Sequence, residues 1–266
     1  MIYLWKDWKE QSRGKGIWLS LGILILISVF VLLQARQLPA EQGFQVFLLS
    51  LHQMNMFILP ILSLFMSSFS MIQEKEQKTL LILLTKKESF RSFLVKKSIS
   101  IQLISLGVFV GWYFLLAIPS KLFFQFEASY FIAFLVSVIS LILIFNQIGI
   151  LWGSICSSRM QVVSANLFTW FFFIFLIDLI SLFYLPYIHY GNVKIFSFFY
   201  FIDVVHTLNF YLENQLGLFP LEHMSRLMEK MVWLPPSVFL IIDLIFWIGL
   251  SFLLAMWFGR KGNEND

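Results

Sequence analysis

Six long runs of apolar residues with almost no charge restrict what this chain can fold into. A helix needs about 20 mainly apolar residues to cross the hydrocarbon core of a bilayer. We therefore predict an all-α polytopic membrane protein, with one transmembrane domain over residues 1–266. The predicted spans are residues 17–35, 44–72, 98–120, 128–158, 160–185 and 237–258.

The composition excludes soluble classes of protein. Hydrophobic residues make up 59% of the chain and charged residues 13%, whereas a soluble domain is about 25% charged. So few polar groups cannot cover a soluble surface, which excludes an ordinary cytosolic enzyme, a disordered chain and a nucleic-acid binder. The one cysteine, Cys156, excludes an intramolecular disulfide and a cysteine-rich metal site.

Lysine and arginine predict the orientation of the spans. They concentrate in residues 1–16 and 73–97, and basic connections stay on the cytoplasmic side. We expect a multi-pass protein of the cytoplasmic membrane with both termini in the cytoplasm. A seventh span over Ile195–Leu212 is an alternative, but it would place Arg260 and Lys261 outside.

Two segments outside the spans are expected to lie along the lipid. Residues 1–16 carry Trp5 and Trp8 among basic residues, which is typical of an interfacial helix. The extracytoplasmic segment 186–236 is expected to contain an amphipathic helix. Its polar stripe comprises Asp203, His206, Thr207, Glu213 and Asn214.

The stretch 73–97 is the one sizeable cytoplasmic loop, and it contains the apolar run Leu80–Leu84. An apolar face exposed in the cytoplasm favours a protein partner. The alternative is a helix held flat on the membrane by its cations.

The order of residues in this loop resembles the coupling segment of ABC-2-type ABC transporter permeases. That family shows an acidic residue, Gly-Thr-Leu, a leucine-rich stretch, Ser or Thr, Pro, and Gly-Lys at the third span. Lysines stand at three family positions, Lys78 and Lys96 for Gly and Lys87 for Pro. The matching residues are Glu76, Thr79, Leu80, Leu83, Leu84, Thr85, Ser89 and Lys97.

The start of the chain extends the resemblance, because Lys6-Asp7 and Arg13-Gly14-Lys15 are similar to the family's N-terminal elbow helix. The resemblance implies a permease subunit that is not itself an enzyme. It would pair with a second copy of the chain or with a paralogue. ATP and Mg²⁺ would bind to separate cytoplasmic ATPase subunits, since the chain lacks a P-loop, and it is expected to hold no cofactor. Export is the implied direction. The residues implied to contact the ATPase are Glu76, Thr79, Leu80, Leu83 and Leu84.

Three further features resemble the Nos-type copper-processing permeases within that family. They are a small loop over Gly149–Ser154 followed by Ser158-Arg159, an aspartate in the fifth span at Asp178, and an aspartate-containing segment at Asp203. Tyr200-Phe201 stands where this subgroup has Asn-Pro, and His206 replaces its usual arginine. This reading implies an extracytoplasmic partner protein that handles metal or sulfur.

Two aspartates, Asp178 and Asp243, fall within predicted spans. A carboxylate in the membrane is costly unless it faces protein or water. We expect both to point into the bundle or a dimer interface, either as a polar clasp between helices or as a polar point on a transport path.

Methionines near histidines raise the question of a copper site. Thioether sulfur suits Cu(I), but methionines on the apolar face of a helix usually fill gaps in packing. We therefore predict no metal site, while keeping three methionines as candidates: Met224, Met228 and Met231.

A different class of function remains open at this point. The chain could be a membrane scaffold or immunity protein that binds a partner through the outer segment. The loop 73–97 discriminates the two classes, because a scaffold does not require an apolar cytoplasmic helix.

Overall fold

The computed structural model describes residues 2–77, 89–218 and 226–264. It is 88% helical, and no strand occurs in these ranges. Six helices in them are long and apolar enough to cross a membrane, which confirms the prediction of a multi-pass helical membrane protein. The helices are α1 (Ile2–Arg13), α2 (Lys15–Ala35), α3 (Ala40–Glu76), α4 (Phe90–Phe123), α5 (Ala128–Ile155), α6 (Arg159–Phe171), α7 (Ile177–Tyr184), α8 (Val193–Phe201), α9 (Val204–Gln215), α10 (Arg226–Met231) and α11 (Pro236–Glu264).

Helices α3 and α5 form the centre of the bundle, and two glycines let them approach closely. A Cβ atom at Gly149 would lie 2.0 Å from Ser67 Oγ, and one at Gly153 would lie 2.6 Å from Met71 Cβ. Small residues four positions apart are a common device for close packing of membrane helices. The segment expected to be a small loop at 149–154 is therefore the last part of α5, packed against α3.

The flanks of the predicted loop 73–97 are helical. Helix α3 continues to Glu76, and α4 begins at Phe90, eight positions before the predicted third span. Ser89 caps α4, because its side chain accepts a hydrogen bond from the backbone N–H of Ser92 at 3.2 Å. The fourth predicted span also differs from the structure at its end, because α5 ends at Ile155 rather than at residue 158.

A π-helical turn, Phe172–Leu176, interrupts the fifth span between α6 and α7. Such a turn inserts one extra residue, so that the faces of the helix after it are rotated by about 100°. Asp178 follows the turn by two positions. The face on which Asp178 lies is therefore not the one that regular helical spacing from α6 would give.

The outer segment contains a bent pair of helices instead of one interfacial helix. Helices α8 and α9 meet at 95°, and we call residues 201–204 the elbow. Asp203 is the reason for the break, because its side chain caps the start of α9. The stripe expected to face water faces protein at its start, where Asp203 and Thr207 are each 1% exposed.

The elbow reaches into the bundle. Trp247 Nε1 donates to the carbonyl oxygen of Ile202 at 2.9 Å, and Phe201 stacks on Phe239 with ring centroids 4.3 Å apart. Trp247 lies eleven residues into α11, about 16 Å along the helix axis. We call this end of the bundle the elbow end.

The opposite end carries α1, the end of α3, the start of α4 and the last turns of α11, and we call it the ionic end. Lys6 of α1 bonds to Glu74 of α3. A Cβ atom at Gly259 of α11 would lie 2.9 Å from the Phe90 ring of α4. The N-terminal helix and the last turns of the C-terminal helix therefore share one end.

Candidate functional site

A buried ion-pair network joins three helices at the ionic end. Lys97 of α4 donates to Asp7 Oδ1 of α1 at 2.8 Å and to Glu74 Oε1 of α3 at 3.1 Å. Lys6 of α1 also donates to Glu74 Oε1, at 2.9 Å. Lys97 and Asp7 are 1% exposed and Glu74 is 3% exposed. Two lysines and two carboxylates balance, so these four groups carry no net charge.

The local sequence explains how the network forms. Asp7 lies on the inner face of α1, while Trp5 on the same helix is 68% exposed. Burial opposes the charge on Lys6, but the hydrogen bond and the charge of Glu74 outweigh that cost and raise the pKa of Lys6 above its ordinary value. Buried charges of this kind are stable only as a complete set, because removal of one partner leaves an unpaired charge in a dry site.

A second, exposed ion pair lies beside the network. Arg159, the first residue of α6, donates through Nε to Glu76 Oε1 at 2.8 Å and to Oε2 at 3.0 Å. Lys75 donates to the backbone carbonyls of Ser154 and Cys156. The end of α3 is therefore fixed to the turn between α5 and α6. Of the residues expected to contact an ATPase, Glu76 is in this pair, and the others lie outside the described residues: Thr79, Leu80, Leu83 and Leu84.

Two carboxylates share one imidazole at the elbow end. His206 Nε2 lies 3.1 Å from Asp178 Oδ1, and His206 Nδ1 lies 2.6 Å from Asp203 Oδ2. Asp203 also accepts a hydrogen bond from the backbone N–H of His206 at 3.0 Å. Asp178 is 57% exposed and Asp203 is 1% exposed. We call these three residues the Asp–His–Asp cluster, and it ties α7 to the elbow.

Asp243 of α11 lies against the same elbow. It is 3% exposed and is hydrogen-bonded to Thr207. The hydroxyl of Thr207 has one hydrogen, which it donates to the carbonyl oxygen of Phe201 at 2.9 Å. Asp243 and Thr207 therefore bring α11 and α9 together beside the elbow.

His52, Asn55 and Asn209 form hydrogen bonds that involve neither Asp178 nor Asp243. His52 Nε2 contacts Asn209 Oδ1 at 3.0 Å, and its Nδ1 contacts Ser137 Oγ at 3.2 Å. Tyr113 donates to Asn55 Oδ1 at 2.8 Å. These bonds link α3 to α4, α5 and α9, and such bonds between helices stabilise a membrane bundle.

Two adjoining cavities flank the Asp–His–Asp cluster. The first, of about 800 Å³, is lined by Asp178, His206, Asn209 and Glu213 with apolar neighbours, and we call it the acidic cavity. The second, of about 670 Å³, includes several aromatic side chains, and we call it the aromatic cavity. Its lining contains Tyr184, Tyr187, Phe199, Asp203, Phe246 and Trp247. Ser181, Ile188, Phe196 and Tyr200 line both cavities.

No model of a known protein family matches the sequence, and no curated protein is significantly similar to it.

Of the three methionine candidates, only Met231 has a described side chain. Met224 lies outside the described residues, the side chain of Met228 is not described, and Met231 lines the acidic cavity. The described residues do contain one group of acidic side chains, Asp7, Glu10 and Glu74, whose oxygens lie within 4.8 Å of one another. Lys6 and Lys97 bond to Glu74 and Asp7 of that group, so these two acids belong to the ion-pair network.

The sequence singled out Asp178, Asp203 and His206 but not their contacts, and it did not single out Glu74. Lys97 was counted among the loop cations, although it is buried between two acids. The sequence does not by itself place Asp178 and His206 in contact, although His206 Nε2 lies 3.1 Å from Asp178 Oδ1. Two features of the sequence could have indicated this contact. Asp178 is an acid within a span that contains no basic partner, and His206 lies in the next predicted helix.

Proposed function

We propose that this chain is the membrane-spanning subunit of an ATP-driven transporter of the ABC-2 type. One observation carries the proposal. The segment whose residue order resembles the family's coupling segment joins α3 to α4, and the buried network of Lys97, Asp7 and Glu74 locks those two helices and α1 together beside it. In this proposal, a displacement of the segment would move α3 and α4 together with α1.

The length of α3 supports a mechanical link between the ends of the bundle. Its 37 residues extend for about 55 Å, well beyond the roughly 30 Å hydrocarbon core. His52, on the same helix as Glu76, bonds to Asn209 of the elbow helix α9. In this proposal, movement of the coupling segment therefore reaches the elbow through one helix and its hydrogen bonds.

The proposal assigns ATP and Mg²⁺ to a separate cytoplasmic ATPase. The ionic end would then face the cytoplasm, with both termini there, as the positions of the basic residues favour. Glu76 and the leucines at 80, 83 and 84 would contact the ATPase. Transport would be export from the cytoplasm, and the transported molecule would cross between two membrane subunits.

A second copy of the chain, or a paralogue, completes the proposed membrane unit. Helix α6 presents an apolar face in which Phe168 is 62% exposed and Phe171 is 45% exposed. Phe57 of α3, 46% exposed, adjoins this face, since its carbonyl oxygen accepts from Trp170 Nε1 at 2.8 Å. These aromatic side chains of α3 and α6 would form the contact between the two subunits.

The direct test is gentle purification of the tagged chain from its own membrane, followed by mass spectrometry. A P-loop ATPase is expected to accompany it. Leu83→Glu should abolish that association, because a charge enters an apolar contact, while insertion in the membrane is kept. Leu38→Glu is the matched control, since Leu38 is exposed in the connection at the elbow end. If the ATPase stays bound to the Leu83→Glu variant, the coupling assignment is wrong.

A second candidate function is a Nos-like subunit that supports maturation of a metal or sulfur site outside the cytoplasm. It is favoured by the contact of Asp178 and Asp203 through His206, which joins two positions at which the chain resembles that subgroup. The same purification would then recover an extracytoplasmic lipoprotein or secreted repeat protein besides the ATPase. A chain that purifies alone, under conditions that preserve known membrane complexes, would instead favour a scaffold or immunity protein.

A further inference from the structure

The Asp–His–Asp cluster carries an unbalanced negative charge. Asp178 and Asp203 are two carboxylates in contact with one imidazole, so His206 alone cannot balance both of them. The Oδ1 atom of Asp203 has no hydrogen-bond partner although the residue is buried.

The acidic cavity adds to this charge. Glu213 lines it together with Asp178, and its described lining contains no lysine or arginine. Within the described part of the chain, neither carboxylate has a lysine or arginine partner. Lys230 precedes Met231 of the lining in the sequence, but its Nζ donates to the carbonyl oxygen of Tyr190 at 2.7 Å and lies 3.6 Å from the centre of the Tyr190 ring. The cavity therefore favours a cation and disfavours a phosphate or carboxylate group.

Aromatic rings beside the carboxylates favour a particular kind of cation. Phe196, Tyr200 and Phe210 line the acidic cavity, and the face of an aromatic ring attracts an ammonium group with about 0.5–2 kcal/mol. Phe196 and Tyr200 also form the wall shared with the aromatic cavity. A molecule with an ammonium group on one side of this wall would meet a large apolar surface on the other.

The position of the cavities indicates a route from the bilayer. Leu179 and Leu182 of α7, both in the lining of the acidic cavity, are 60% and 67% exposed, and Phe199 of α8, in the aromatic cavity, is 65% exposed. Exposed apolar side chains on a membrane helix face lipid. The two cavities are therefore open to a ligand dissolved in the membrane.

We propose that the two cavities form one binding site for a monocationic amphiphile, an ammonium group on an apolar body. The ammonium group occupies the acidic cavity near Asp178 and Glu213, and the apolar body lies in the aromatic cavity. This site does not depend on coupling to an ATPase.

The test uses the full chain in nanodiscs of phosphatidylcholine, with dodecylamine as the probe. Dodecanol and dodecanoate are the neutral and anionic probes of the same length. Dodecylamine should raise the unfolding temperature saturably, and the other two should not. An equal rise with dodecanol would show that only the alkyl chain is bound, which would overturn the proposal.

Carboxylate variants locate the ammonium group. Glu213→Gln and Asp178→Asn should each weaken the binding of tritiated dodecylamine by about tenfold, which corresponds to about 1.4 kcal/mol. Glu127→Gln is the matched control, because Glu127 is an exposed carboxylate in another connection at the elbow end. Unchanged affinity in Glu213→Gln would overturn the proposal even if Asp178→Asn fails to fold. An equal loss in Glu127→Gln would overturn it too, because the effect would then be one of surface charge.

A competition experiment distinguishes a monocationic amphiphile from a phospholipid head group as the source of the ammonium group. Phosphatidylethanolamine is added to the nanodiscs as a competitor for tritiated dodecylamine. No displacement is expected, because the cavity offers nothing to its phosphate. Displacement would identify a phospholipid head group as the ligand and overturn the assignment of a monocation. Loss of ATPase association in the purification experiment would leave all of these results unaffected.

Discussion

Lys97 and Asp7, ninety positions apart in the sequence, form an ion pair of 2.8 Å in which neither side chain is more than 1% exposed. The pair fixes the N-terminal helix to α4, and Glu74 of α3 accepts from the same ammonium group. A helix that the composition alone would leave lying on the lipid is thereby fastened to the bundle.

We expect Lys97→Met to destabilise the protein strongly. The change leaves Asp7 and Glu74 buried with only Lys6 as a cation, and breaking a buried ion pair costs about 3–5 kcal/mol. The measurement is the unfolding temperature in detergent, together with the yield of monodisperse protein. Lys121→Met, at an exposed lysine of the same helix, should have little effect. Adding Asp7→Asn to Lys97→Met should recover part of the loss, and its failure to do so would contradict the assignment of an unpaired charge.

Gly149→Ala should loosen the packing of α5 on α3. The new Cβ atom would lie 2.0 Å from Ser67 Oγ and 2.6 Å from the carbonyl oxygen of Leu64, so that the backbone itself must move. Overpacking of this kind costs about 1–3 kcal/mol and lowers the unfolding temperature. Gly107→Ala provides the comparison, because nothing lies within 4 Å of a Cβ atom there. Equal unfolding temperatures in the two variants would mean that the two helices are not in close contact.

Asp178→Asn should be tolerated better than Asp178→Leu. The amide keeps a polar group within 3.1 Å of His206 Nε2, whereas leucine removes the polar contact. Both variants are compared with the wild type by gel filtration and by thermal unfolding in detergent. Equal losses in both would show that the negative charge itself is required.

Glu76→Gln should separate stability from coupling. The pair of Glu76 with Arg159 is exposed, and exposed ion pairs contribute little to stability, so the unfolding temperature should stay unchanged. If Glu76 contacts the ATPase, the amount of ATPase recovered with the chain should fall. Full recovery would remove Glu76 from the proposed contact. The reversed pair, Glu76→Arg with Arg159→Glu, tests whether the bond between the two residues matters apart from the ATPase.

The proposed dimer contact can be tested by disulfide formation. Phe168→Cys in a Cys156→Ser background should give a covalent dimer on mild oxidation, because a contact around a two-fold axis brings equal positions together. Leu122→Cys is the comparison, since Leu122 is 79% exposed on α4, away from the proposed contact. Equal cross-linking at both positions would indicate random collision in the membrane.

The six long apolar helices could be predicted from the sequence because each depends on the summed hydropathy of about 20 residues. Single polar residues inside a run, such as Asp178 and Asp243, did not obscure it. The ends of the helices were less predictable. Charged residues that pair with each other, Glu74 and Lys97, extend α3 and α4 beyond the apolar runs.

The candidate sites were less predictable than the spans because they depend on tertiary contacts. Regular helical spacing cannot place Asp178, since a π-helical turn precedes it. The polar stripe that begins at Asp203 indicated a helix facing water. In the fold its first residues face the protein, because the capping side chain of Asp203 starts a new helix at the elbow.

The shared location of α1 and the last turns of α11 has a consequence for how such a chain can be duplicated. An even number of crossings returns the polypeptide to the side from which it started. Two copies joined end to end by a short soluble linker would therefore keep the same orientation, with no additional hydrophobic segment between them. A gene fusion could in this way produce a single-chain pair, in which one copy carries a substitution and the other retains the native sequence.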